Sequence, residues 1–367
     1  MSDRKTIAFW CEKSGSSDET FAEFHVNLWH FSNKKREDFF EIGVMVDDPS
    51  VLSSIKVFVP FKLGYEQIGD LGSKFIEPNL AQGIFNETLA PEFAPNKRSI
   101  ELNSGVGTYC GVHIFSTDNA RINQSELGLQ PIDGGTLLEI TSAALNSLAR
   151  QSNPKVRPGY FRLRLHPQIS RGRPFVTYIT PTDKALGSGY EAIEYIDCRL
   201  NEARTVPAAV ATAASEAPHG VAKMKRVVFL AVVPVVSSVT SSHAEWHKSR
   251  LLENEIWEDY VPQGLDDGMV VYHWRKIFDA KDEKMLQGFS AFVKMQTRKA
   301  DISLIFIYVG ISLLLGVLGS VVASYFLSSS GGDDSVRLSF PSSIIHASEF
   351  PDSCLKNECL GGYSTGD

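Results

Sequence analysis

Residues 160–166 read YFRLRLH, and their alternation decides the fold. Successive side chains of a strand point to opposite faces, so Tyr160, Arg162, Arg164 and His166 share one face while Phe161, Leu163 and Leu165 share the other. Such a segment is a strand with one face in a core. Similar runs, rich in β-branched and aromatic residues, recur at 24–31 (FHVNLWHF), 39–46, 55–61 (IKVFVPF), 109–115, 175–179 and 190–199. Strands of this kind pair antiparallel and close into a sandwich or barrel. The expected fold is therefore a β-rich α+β cytosolic region, antiparallel and sandwich-like, with a helix over 141–150 and a single C-terminal transmembrane helix.

The pattern changes at 207–218 (PAAVATAASEAP), an alanine-rich stretch with proline at each end. It marks a β-rich domain over 1–206, a linker over 207–220 and a smaller α/β subdomain over 221–280. In the subdomain, the apolar run 227–236 and residues 269–274 read as strands. Ser242 with Glu245 forms a capping-box pattern that predicts a helix running to Tyr260. Over 281–301, Met285, Phe289, Phe292 and Val293 fall at helical spacing, which predicts an amphipathic juxtamembrane helix.

Residues 302–327 (ISLIFIYVGISLLLGVLGSVVASYFL) carry no charge, proline, asparagine or glutamine, and about 20 apolar residues suffice to span a bilayer. Before this run stand Lys281, Lys284, Lys294, Arg298 and Lys299; after it stands Arg337, with Asp333 and Asp334. Basic residues mark the cytoplasmic flank, so the N-terminal region is expected inside and the tail, 328–367, outside. The first residues, MSDRKTIAFWCEKSGSSDE, hold no apolar run of signal-peptide length, in keeping with that orientation. Cys11, Cys110 and Cys198 are scattered without ligand spacing and read as reduced cytosolic residues, whereas Cys354 and Cys359 in the outer tail are candidates for a disulfide.

Within the span Ser312, Gly316, Ser320 and Ser324 recur at spacing four, with Gly319 and Ala323 beside them. Small residues let helix backbones approach, which predicts association with spans of other chains and hence a homo-oligomer. A serine face lining a water-filled path is a further reading of the same stripe, and plain dimer packing the simpler one.

A formal charge of -7 argues against a protein that coats nucleic acid, since such domains are basic throughout. Yet no acidic residue falls between Glu139 and Asp183, while Arg150, Lys155, Arg157, Arg162, Arg164, Arg171 and Arg173 do. Guanidinium forks donate paired hydrogen bonds to phosphate and tyrosine stacks on bases. Arg157, Tyr160, Arg162, Arg164, Arg171 and Arg173 are thus a candidate site for a nucleotide, an oligonucleotide or another anion. The structural alternative pairs the arginines with Glu191, Glu194, Asp197 and Glu202, or with another subunit.

His243 and His247 stand at i and i+4 around Glu245, but their order is that of neither zinc-protease motif, so no metal is expected. His25 and His30 have opposite parity on their strand and face different ways. No phosphate-binding loop, GxSxG motif or kinase set is present, so neither a cofactor nor an enzymatic activity is expected.

The layout of a cytosolic β-rich region, a membrane-proximal helix, one associating span and a short outer tail, together with the basic strand over 160–166, resembles that of channel-type membrane effectors of bacterial antiviral defence, of which Hailong-type effectors are an example. The resemblance implies a nucleotide or oligonucleotide signal, supplied in some systems by a partner protein, that governs an oligomeric membrane assembly. The simpler alternative is a membrane-tethered binding or adaptor protein; a tethered metal-dependent hydrolase would need His243 and His247 as ligands.

Overall fold

The computed structural model describes residues 6–16, 19–31, 36–149, 158–167, 175–179, 191–242, 246–262, 264–265, 268–279, 286–298 and 302–329. The chain divides into two units, Met1–Asp301 and Ile302–Asp367.

In chain order the first unit begins with β1 (Thr6–Lys13), β2 (Phe21–Trp29), β3 (Phe39–Val46), β4 (Leu52–Val59) and β5 (Ile68–Asp70). Helix α1 (Pro78–Phe85) leads to β6 (Ala90–Phe93), β7 (Ser99–Ser104), β8 (Gly107–His113), β9 (Thr117–Asp118) and β10 (Arg121–Ile122). Then come β11 (Leu127–Ile132), β12 (Gly135–Ile140), α2 (Ser142–Ala149), β13 (Gly159–Leu165), β14 (Val176–Ile179) and β15 (Glu191–Leu200). Helix α3 (Ala208–Ser215) is followed by β16 (Lys223–Pro234), β17 (Ser237–Ser242), β18 (Lys248–Leu251), α4 (Asn254–Trp257), β19 (Met269–Ile277) and β20 (Phe289–Arg298). The second unit holds α5 (Ile302–Ser329).

Two mixed sheets stack face to face. One runs β18-β19-β16-β2-β3-β13-β8-β7-β6, with β5 also on β13, and the other runs β11-β12-β4-β1-β15-β20-β17, with β14 also on β15. Their facing sides build one core, in which Phe24, Val26, Ile42, Val44, Phe161, Leu163, Phe229 and Ala231 of the first sheet meet Phe9, Ile55, Val57, Ile196, Ala291 and Val293 of the second. The alternation of 160–166 is realised: Phe161, Leu163 and Leu165 lie in that core. The strand-rich sandwich is the expected fold class, with one apolar C-terminal helix.

Long-range pairing overrides three local readings. The stretch 207–220 is not an interdomain linker: residues 208–215 form α3, which buries Val210 and Ala214 against Ala8, Trp10 and Phe58. Strands from either side of it share both sheets, β16 lying parallel beside β2 and β20 antiparallel to β15, so 1–206 and 221–280 are not separate bodies. The helix expected from Ser242 to Tyr260 is replaced by the end of β17, edge strand β18 and the short α4. Ser242 closes β17 and accepts a hydrogen bond from the Trp274 indole. Residues 289–298 of the expected juxtamembrane helix form β20, because Ala291, Val293, Met295 and Thr297 alternate into the core and both edges find partners, β15 and β17.

α5 is apolar on every side, and its described side chains are exposed apart from a half-covered Tyr308. A core helix of such composition would be buried by its own chain. α5 is long and apolar enough to cross a membrane.

Candidate functional site

The outward face of the larger sheet carries most of the polar chemistry. On β2, Glu23, His25, Asn27 and Trp29 point outward because Phe24, Val26 and Leu28 fill the core; on β3 the outward residues are Glu41 and Gly43, and on β13 Tyr160, Arg162 and Arg164. The pairing of β13 with β3 sets Arg162 beside Gly43 and Arg164 beside Glu41.

One half of this face is sealed. Arg162 and Arg164 are only 1% and 6% exposed, so the cationic surface expected there is instead a buried network. Arg162 donates to Glu41 Oε2 at 2.6 Å, and Arg164 donates to Glu41 Oε1 from Nη2 at 2.7 Å and from Nε at 3.0 Å. Tyr260, which follows α4, donates its hydroxyl to Glu41 Oε2 at 2.8 Å, accepts from Arg162 Nε at 3.1 Å and offers its carbonyl to Arg164 at 2.8 Å. The counter-ion is thus Glu41 and none of the acids of β15 or Glu202. Burial alone would raise the Glu41 carboxyl pKa, but the two guanidinium groups outweigh it and hold it below the ordinary range. Gly43 makes room for this arrangement: a Cβ there would stand 2.2 Å from the Tyr160 hydroxyl.

The other half opens into a cleft of about 280 Å³, floored by β2, β16 and β19, edged by β18, and walled by α1 and α4. Arg162, Arg226, Lys248, Arg250 and Arg275 line it against a single acid, Glu87. Arg226 is held by Glu23 and Arg250 donates to the Gly83 carbonyl, but Lys248 and Arg275 have no ion-pair partner among the described residues. Four buried nitrogen atoms on the cleft lining make no hydrogen bond among the described residues: His25 Nε2, Trp29 Nε1, Trp257 Nε1 and His273 Nε2.

The Tyr160 hydroxyl accepts from Arg162 Nη1 at 3.0 Å and lies 3.4 Å from His25 Nδ1. In the tautomer where that hydroxyl donates to Nδ1, the His25 proton sits on Nε2, which stands 3.7 Å from Glu23, too far for a hydrogen bond. Both indoles, and His25 in this tautomer, then present N–H donors without acceptors among the described residues. Burial lowers the His25 pKa. Burial, then the positive surroundings of His247, Lys248 and Arg275, pulls His273 down to about 4, so it is neutral at neutral pH. Unshared donors, with cations that have no ion-pair partner among the described residues, suit acceptor oxygens carrying negative charge.

Of the residues expected at a ligand site, Arg162 lines the cleft, Tyr160 supports it from below and Arg164 belongs to the sealed half. Arg157, Arg171 and Arg173 lie outside the described residues, as do His243, Glu245, Cys354 and Cys359. His247 enters the cleft rim, its backbone N–H bonded to the His273 carbonyl at 2.7 Å. His30 turns away from the cleft and binds Asp38 and Glu194, each at 2.9 Å. Ser312, Gly316, Gly319, Ser320, Ala323 and Ser324 all lie on α5, where a Cβ at Gly316 or Gly319 would meet nothing. The sequence reading missed Glu41, Tyr260, Trp29, Trp257, Arg226, His273 and Arg275. One signal for the cleft was present, since in FHVNLW the residues His25, Asn27 and Trp29 share a face that ordinary solvent exposure does not explain.

Fold and site together define a two-sheet sandwich with a cationic cleft, carrying one helix able to cross a membrane. The sequence matches no protein-family model and none of the curated proteins. Among solved structures, the Mu homology domain of Fcho1 from Danio rerio, with bound Eps15 peptide, is similar at 10% identity and a TM-score of 0.16, over 76% of this chain and 80% of that one. So slight a likeness has no bearing on fold or function.

Proposed function

We propose that this chain is a membrane-tethered receptor for a small anionic ligand, with α5 as its span and the cleft of the larger sheet as its binding site. The observation that carries this reading is the set of buried nitrogen atoms of His25, Trp29, Trp257 and His273, which share no hydrogen bond among the described residues, beside Lys248 and Arg275, which have no ion-pair partner among them. Unsatisfied buried donors are costly in a folded protein, and a bound anion relieves that cost. The indole and phenol surfaces of the cleft favour an anion that also carries a flat ring, so nucleotides head the list of ligands. The test is calorimetric binding to the full chain in detergent micelles, using mononucleotides, cyclic dinucleotides and inorganic pyrophosphate. Saturable binding that Arg275→Ala weakens is expected; no binding of any of them at millimolar concentration overturns the reading.

The basic flank Lys294, Arg298 and Lys299 before the span supports a cytosolic sandwich and an outer tail. Protease added to sealed right-side-out vesicles should then clip only the tail.

A second reading rests on the small-residue stripe of α5, Ser312, Gly316, Ser320 and Ser324, with the resemblance to antiviral channel-type effectors beside it. In it, ligand binding governs a homo-oligomeric assembly of spans. Ion flux from proteoliposomes should then depend on ligand and vanish in Gly316→Leu and Ser320→Leu, while ligand binding persists. Flux that survives a leucine-only span removes the channel and leaves the tethered receptor standing.

A further inference from the structure

The turn between β16 and β17 consists of Val235 and Val236, 53% and 58% exposed. Tight turns ordinarily take glycine, asparagine, aspartate or serine, so two β-branched apolar residues at a tip need a reason. Their place in the sheets supplies one. Ser237 pairs with Thr297 and Ser238 with Gln296, which sets the turn beside the last residues of β20. On the other side of β20, Gln296 pairs with Ile193, and Ile193 pairs with Ile179, itself 46% exposed. Strands lie about 4.8 Å apart, so Ile179 and the valine turn flank the end of β20 across about 14 Å. Ile302, the first residue of α5, follows Arg298 by four positions, a chain reach of at most about 14 Å.

We infer that Val235 and Val236 insert into the lipid headgroup boundary, making this edge of the sandwich a second membrane contact beyond the span. The proposal rests on α5 being a span, because the four-residue step from Arg298 to Ile302 then limits how far the turn can lie from a bilayer surface. The surroundings suit a headgroup layer. Ser237, Ser238, Thr240, Ser241 and Ser242 put a row of hydroxyls behind the tip, and Lys294 on β20 adds a cation for lipid phosphates. The turn at the opposite end of the larger sheet supplies a control: Val106, between β7 and β8, is fully exposed and lies beside the N-terminal end of β8, whereas β16 runs to its valine turn at its C-terminal end. β13, parallel to β8 and antiparallel to β3, with β2 and β16 parallel to one another, fixes that opposition.

The experiment places Val236→Trp, and separately Val106→Trp, in the full chain and reconstitutes each in phosphatidylcholine vesicles containing phosphatidylserine, with or without brominated acyl chains. Emission is read as the difference from the parent chain. For Val236→Trp a blue shift is expected, with roughly half of the added emission quenched by the brominated lipid, while Val106→Trp stays unquenched. Equal, negligible quenching of both variants in carbonate-resistant vesicles overturns the inference and leaves the span intact. A blue shift without quenching also overturns it and points to a second copy of the chain on the turn. Release of the parent chain by carbonate overturns the span and this inference together.

Discussion

Glu41 and Glu23 stand on adjacent strands of one sheet, point to the same side and each hold arginine, yet one is finished and the other is not. Glu41 receives two guanidinium groups and a phenol, all buried, and Tyr260 closes the group from above. Glu23 shares the partly exposed Arg226 and sits beside a histidine whose outer nitrogen has no partner. The segment after α4 covers the first site and stops short of the second. Saturation makes structure: each lone pair of Glu41 is engaged, so nothing is left for a ligand. Incompleteness suits a site, because buried donors along the cleft have no acceptors among the described residues.

The largest way to break this contrast is to remove the sealed carboxylate. Glu41→Gln leaves Arg162 and Arg164 buried without a counter-ion, and losing one partner of such a group costs about 3 to 5 kcal/mol. Denaturant unfolding of the full chain in micelles should show it. The effect depends on pH in a fixed direction. Since the Glu41 pKa is lower in the fold than its ordinary 4.5, its contribution is complete above that value and is lost as pH falls through the folded pKa. The gap between parent and variant should therefore be widest near neutrality and close in acid. A cost below about 1 kcal/mol at pH 7 would mean that Glu41 is no keystone.

A smaller effect is expected at Gly43. Its missing Cβ is the space into which the Tyr160 hydroxyl leans on its way to Arg162 and His25. Gly43→Ala should cost about 1 to 3 kcal/mol through overpacking. Gly69→Ala, whose Cβ would meet only the Arg164 Cβ at 3.9 Å, should change stability little. Similar unfolding midpoints for the two variants would show that Tyr160 can move aside freely.

What the sequence made legible follows from range. The alternation of YFRLRLH is local, so the faces of Arg162 and Arg164 could be read directly. Their partner could not, because the register that sets Arg164 against Glu41 joins strands more than a hundred residues apart. Residues 289–298 fit both periods, with Phe289, Phe292 and Val293 at helical spacing and Ala291, Val293 and Met295 alternating; only the neighbours β15 and β17 decided it. Ser242 and Glu245 spell a helix start, but β17 and β18 each find a partner strand first. The cleft draws on β2, β16, β18, β19, α1 and α4, so no single stretch announces it. The apolar helix α5 was legible, because length and composition alone announce a helix able to cross a membrane.

The open half should answer the opposite way to substitution. Lys248→Ala and Arg275→Ala remove exposed cations that have no ion pair among the described residues, so stability should stay within about 0.5 kcal/mol. Losing a charge-assisted hydrogen bond of about 1 to 2 kcal/mol should nonetheless weaken anion binding by roughly 5- to 30-fold. If either variant unfolds the chain as Glu41→Gln does, the distinction between the two halves fails.

His273 gives the smallest and most specific expectation. Burial and the nearby cations depress its pKa to about 4, so below its ordinary 6.5 the unfolded chain takes up a proton that the fold refuses, and this residue makes the empty protein less stable as pH falls from 6.5 towards 4. A bound anion reverses the local field. It raises the His273 pKa, so the ligated protein accepts the proton, and affinity should rise as pH falls through the ligated value. His273→Gln keeps a donor but cannot titrate, and should flatten that rise while leaving affinity at pH 8 nearly unchanged. A pH profile of anion binding that is the same for parent and His273→Gln would place the ligand away from β19, on the Trp29 and Trp257 side of the cleft.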